Sequence, residues 1–149
     1  MSLDWRWYSW PELPPDVLYS FLKLRSDIFV VEQNCVFSEM DGVDERCEHL
    51  CGFDANDKLL AYLRLVPPAI KAPPPSLGRL VVDPSARAGG VARQAMRLGI
   101  EECSARYPGQ GIYLSGQQYL EKFYGSLGFR PISPVYVEDG IPHVNMFRN

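Results

Sequence analysis

The chain has 149 residues, 46% of them hydrophobic, enough for one buried core and too short for two, so a single domain spanning residues 1–149 is expected. Eighteen acidic against 15 basic residues give a formal net charge of -3, which supplies no basic field to attract nucleic acid. No apolar run approaches membrane-spanning length and the N-terminus MSLDWRWYSW has no signal-like apolar region, so a cytoplasmic protein without a membrane partner is expected.

In chain order, LDWRWYSW alternates at period two and predicts a strand ended by Pro11. A helix follows, with Asp16 as its N-cap and an apolar set at Val17, Leu18, Phe21, Leu22, Leu24, Ile28 and Phe29. Residues 33–47 are irregular and acidic. EHLCGFD and KLLAYLRLV then read as two strands of a hairpin, and the proline-rich PPAIKAPPPS as a surface connection unable to join a ladder. LGRLVV is the next strand. From Ala92 the small or apolar residues Ala92, Ala95, Met96, Gly99, Ile100 and Cys103 recur at helical spacing, opposite Arg93, Gln94, Arg97, Glu101 and Glu102. GIYLSG is a short buried strand. QQYLEKFYGSLGF is a second amphipathic helix with Leu120, Phe123, Tyr124 and Leu127 inward and Gly128 as its C-terminal cap. The chain closes on a hairpin turning at Glu138, Asp139 and Gly140.

Four cysteines are too few for a disulfide framework and read as reduced thiols. CEHLC brings Cys47, His49 and Cys51 close together, with Cys35 as a fourth ligand for a zinc-dependent interaction domain. Strand alternation without paired C-x2-C turns argues against that, and no metal is expected.

The segment VVDPSARAGGVARQAM carries the strongest functional signal. A strand ends in an Asp-Pro turn and feeds a helix whose first residues lack bulky side chains, leaving unpaired N–H groups at the positive end of the helix dipole. Gly89 and Gly90 permit close approach of a ligand to the backbone, and Arg87 and Arg93 add positive charge, so the turn suits phosphate or pyrophosphate. The competing reading is that the glycine pair only permits tight entry into the helix.

Arg87-x-x-Gly90-x-Ala92 resembles the R/Q-x-x-G-x-G/A signature of the GNAT N-acetyltransferases, and Tyr124 followed by Gly128-Phe129 is similar to the end of that family's next helix. LRSDIFVVEQNCVFSEMDGVDERCEHL, AYLRLVP and EDGIPHVNM further resemble the ElaA-like subgroup of small stand-alone members. The departures are Ala92 for the commoner Gly, which the signature allows, and Ala88-Gly89 where a Gly-Lys or Gly-Gln pair is frequent.

The resemblance implies an α/β fold with a central, mostly antiparallel sheet, helices on both faces, and the order β-α-β-β-β-α-β-α-β-β. It implies acetyl-CoA as cosubstrate, bound by Leu80, Val81, Val82, Arg87, Ala88, Gly89, Gly90, Val91, Ala92, Arg93 and Gln117. A backbone N–H of Val81 or Val82 would polarise the thioester carbonyl and Tyr124 would protonate the departing thiolate, with direct transfer to a primary amine in a ternary complex. The acidic loop would face a small-molecule acceptor, expected to be cationic. Glu39 stands as candidate base, and Asp41, Asp44, His49, Arg64 and His143 as acceptor-side residues. Arg25 and Tyr62 are further matching positions. The resemblance also leaves room for a homodimer and for a non-catalytic acyl-CoA-binding module or sensor.

Overall fold

The computed structural model describes residues 2–149, which carry one eight-stranded sheet. Its elements are β1 (Asp4–Ser9), α1 (Pro15–Ser26), β2 (Glu48–Phe53), β3 (Leu59–Val66), β4 (Ser76–Val82), α2 (Val91–Arg106), β5 (Ile112–Gln117), α3 (Glu121–Gly125), β6 (Arg130–Pro131), β7 (Tyr136–Glu138) and β8 (Ile141–Arg148). The strands run β1-β2-β3-β4-β5-β8-β6, with β7 also paired to β8, and every pairing is antiparallel except β4 with β5.

Helices cover both faces. Val17, Phe21 and Leu24 of α1, with Ile28 just beyond its end, pack on Cys51, Tyr62 and Val81. Ala95, Met96 and Cys103 of α2 share the opposite core with Leu50, Leu63, Leu65 and Leu77, which continues to Tyr124 and Leu127 beside Leu114 and Val144. The alternation along β3 makes this division: Tyr62 and Arg64 face the α1 side, Leu63 and Leu65 the α2 side.

Three local expectations change. Asp16 is not the N-cap of α1; Pro14 holds that position and Pro15 opens the helix, where a missing N–H costs nothing. The helix also runs past Phe29, its end widening into π geometry over Asp27–Glu32. The second predicted helix is α-helical only over Glu121–Gly125, after a 3-10 turn at Gln118–Leu120. Gly128 closes it as expected, with φ of 94° and the Phe129 N–H reaching back to the Tyr124 carbonyl at 3.2 Å. The final hairpin turns through Asp139 and Gly140, both at positive φ (51° and 77°), as a two-residue turn between twisted strands requires.

β4 departs from a regular ladder in two ways. Arg79 adopts φ of 54° within a bulge that places two β4 residues opposite one on β3. On its other edge β4 is bridged to β5 at a single pair, Ser76 with Tyr113. Beyond that pair the two strands separate, and the gap is where the site lies.

Candidate active site

A cleft of about 910 Å³ runs from the turn before α2, along the gap between β4 and β5, to the loop that follows α1. At its first end, Gly90 sits at the N-cap of α2 with φ of 76°, Ala88 is also left-handed at 66°, and no side chain caps the helix. The first N–H groups of a 16-residue helix are thus left to a ligand. Arg87 anchors the turn, its Nε donating to the Val82 carbonyl at 3.1 Å and its guanidinium pairing with Glu32 at 3.0 Å. Arg93 donates to Ser126 Oγ at 3.0 Å and lies over the Phe123 ring, joining α2 to α3.

Along the gap, the register distinguishes Val82 from Val81. The Asp83 N–H bonds to the Leu60 carbonyl at 2.7 Å, so alternation directs Val81, opposite Tyr62, towards β3 and turns Val82 outwards. The Val82 carbonyl meeting Arg87 agrees. Of the two expected carbonyl-polarising donors, Val82 therefore faces the gap and Val81 does not. Leu80, beside the bulge, and Val82 line the cleft together with Gln117, which donates from Nε2 to Gln33 at 3.2 Å.

Tyr124 lines the cleft from the α2 side, its ring edge-on to Phe123 and Phe129. Its place depends on Gly116, where a Cβ would lie 2.9 Å from the ring. Burial pushes the Tyr124 phenol up to about 12, so it keeps its proton throughout the neutral range. None of the side-chain hydrogen bonds among the described residues involves its hydroxyl, leaving the donor free.

The acceptor end departs most from expectation. Glu39 does not project into the cleft as a free base. It is 5% exposed, and its Oε1 accepts from Arg25 Nε at 2.9 Å and Arg79 Nε at 2.8 Å. Asp44 is also buried, held by Arg25 at 2.8 Å and Arg64 at 3.1 Å. Asp41 reaches the cleft but is clamped by Arg64 at 2.9 Å and Lys71 at 3.0 Å. Burial would raise both aspartates, yet the arginines outweigh it and hold them below the ordinary carboxylate range. His49 is fully buried against Phe21: its Nε2 donates to the Asp44 carbonyl at 2.9 Å and its Nδ1 accepts from the Tyr62 hydroxyl at 2.6 Å. Burial drives its pKa down to about 4, and it has no access to substrate.

His143 does line the cleft. Its Nδ1 donates to the Ile141 carbonyl at 2.7 Å, its Nε2 lies 3.7 Å from Glu138 Oε2, and its ring stacks on Tyr136. Ser115 bonds to the Tyr136 hydroxyl, which donates to Asn145 Oδ1 at 2.7 Å. Sequence reading missed Ser115, Tyr136 and Asn145, although alternation along β5 and β8 places polar residues on one face and could have found them.

Cys47, Cys51 and Cys103 are buried, and desolvation raises their thiols to about 11, 12 and 12. Cys35 donates to the Asp139 carbonyl at 3.2 Å, tying the loop after α1 to the final hairpin. Among the described residues no group of three or more His, Cys, Asp or Glu is arranged to hold a metal, and no helix is long and apolar enough to cross a membrane.

A family model for the acetyltransferase (GNAT) domain matches residues 30–148. The chain belongs to the GNAT family. It is 38% identical to the ElaA protein of Escherichia coli K12 over 98% of this chain and 96% of that one. A UPF0039 protein of Schizosaccharomyces pombe is 42% identical over 87% and 85%. The crystal structure of an acyl-CoA N-acyltransferase from Pseudomonas aeruginosa superposes with a TM-score of 0.94 at 37% identity, covering 99% of this chain and all of that one. Escherichia coli ElaA superposes at 0.93. The GNAT assignment makes acyl-CoA the cosubstrate class and acyl transfer the reaction class, and the uncapped start of α2, left-handed Gly90 and the open β4 edge fit such a ligand.

Proposed function

We propose that this protein transfers an acetyl group from acetyl-CoA to the primary amine of a small molecule, directly and within a ternary complex. The observation that carries the reading is the single bridge between β4 and β5: the sheet opens beside Tyr124, and the same opening ends at the uncapped N-terminus of α2. The amides of Gly90, Val91 and Ala92, with Arg93 beside them, receive the pyrophosphate. Val82, by register, offers its N–H to the thiol-bearing arm or the thioester carbonyl, where a fixed donor favours the developing oxyanion.

Tyr124, protonated at neutral pH and otherwise unbonded, supplies the proton to the departing sulfur. His143 Nε2, with Nδ1 engaged by the Ile141 carbonyl, takes the proton from the amine, a task for which Glu39, held between two arginines, is not free. Direct transfer is supported by the thiols: three are raised by burial away from the nucleophilic thiolate form, and Cys35 is bonded to Asp139.

Thiol release from acetyl-CoA with amine acceptors tests the reading. Tyr124→Phe is expected to lower kcat by on the order of 100-fold or more while keeping stabilisation by acetyl-CoA. An unchanged rate removes Tyr124 from the mechanism, and parallel double-reciprocal plots contradict the ternary complex.

A further inference from the structure

The acceptor end of the cleft carries an ion-pair network of uneven charge. Arg25, Arg64, Arg79 and Lys71 are joined to Glu39, Asp41 and Asp44, four cations to three carboxylates. These three carboxylates, outnumbered by the cations that hold them, therefore leave no net negative charge for a cationic acceptor. One positive charge remains, on the side where Arg64, Lys71 and Arg79 line the cleft.

Two buried polar atoms on that wall also lack partners. Arg64 and Ser76 are 3% and 5% exposed and line the cleft, and neither Arg64 Nε nor Ser76 Oγ has a hydrogen-bond partner among the described residues. A buried donor left unbonded loses its hydration without replacement, so such a pair calls for an acceptor atom from outside the chain. The β7–β8 hairpin brings the reverse polarity to the same cleft, through His143, Glu138 and Asp139.

We infer that the acyl acceptor is an amine that carries a carboxylate, a small amino acid or a molecule ending in one, with its carboxylate on the Lys71, Arg79, Arg64 and Ser76 wall and its nitrogen towards His143. A monoanion matches the single excess charge; a phosphate dianion would overshoot it. The inference rests on the acyl-transfer reading and specifies its second substrate. Polyamines, which would bring further positive charge to this wall, are poor acceptors.

The test compares each standard amino acid with its α-carboxamide and its decarboxylated amine, by thiol release from acetyl-CoA and by the Tm of the CoA-loaded protein. The best free acid is expected to exceed its amide in kcat/KM by at least about 10-fold, and Lys71→Ala to narrow that preference to about 2-fold through KM. Ser76→Ala, a second variant with no charge to lose, narrows it in the same direction. Equal use of acids and amides, or best turnover with a polyamine, overturns the inference and leaves acyl transfer standing. Protein that releases no thiol from acetyl-CoA with any of the carboxylate-bearing amines and, when loaded with CoA, is stabilised by none of them overturns it as well. Failure of the acyl-transfer reading looks different: acetyl-CoA neither stabilises the protein nor releases thiol with any amine.

Discussion

Tyr124 and His49 show how burial assigns opposite roles to two polar aromatic side chains. Tyr124 has its ring in the core against Gly116 and its hydroxyl at the cleft, so burial secures the protonated donor. Gly116 itself gave no sequence signal, because the contact joins β5 to α3 and exists only once both are docked. His49 spends both nitrogens inside the fold and is kept neutral. Its folded pKa of about 4 lies below the unfolded value of about 6.5, so the unfolded chain binds the extra proton first. Stability is therefore complete above about pH 6.5 and falls as pH drops towards 4, by on the order of 3 kcal/mol from this residue. Urea midpoints between pH 7 and 4.5 check it: His49→Gln should flatten the slope, and an unchanged slope would mean that His49 protonates in place.

At the scale of elements, the loop between α1 and β2 is irregular in backbone yet fixed by charge. Arg25, fully buried on α1, holds Glu39 and Asp44 while its guanidinium stacks near Tyr62 and Phe21. Removing one partner of a buried pair strands the other charge, so Arg25→Met is expected to cost about 3–5 kcal/mol and to open residues 33–44 to limited proteolysis. A loss below about 1 kcal/mol, or an uncut loop, would mean that the network does not order this segment. The loop's acidity was plain in the sequence, but its meaning was not. Arg25, Arg64, Lys71 and Arg79 come from α1, β3, the proline-rich connection and the β4 bulge, and only the folded sheet places them opposite Glu39, Asp41 and Asp44. Counting carboxylates along the chain therefore points to a free base at Glu39, where the structure has ion pairs. By contrast α2, with its inward Ala95, Met96, Gly99 and Cys103, was legible because one helix face depends on local spacing alone.

For the whole molecule, the separation of β4 from β5 is the feature on which the proposed function depends. The order of strands and helices, apart from the two-residue β6 that the expected order lacks, follows from periodicity, and the turn at Arg87–Ala92 from its glycines, because both are properties of consecutive residues. The gap could not be read in that way, since it reflects how many bridges two strands distant in the chain form, here one. That single bridge leaves an edge of β4 open, aims the cleft at the start of α2, and brings Tyr124 and His143 to the same cavity from different elements. The most direct test is the Tm of wild type and of Gly90→Val with and without acetyl-CoA. At about 100 times its dissociation constant the ligand should stabilise wild type by roughly 2.7 kcal/mol. Gly90→Val, strained at a φ of 76° and with side-chain atoms where the pyrophosphate would approach, should start lower and gain little. A wild-type protein whose Tm does not respond to acetyl-CoA, or a variant that gains as much, would contradict the account.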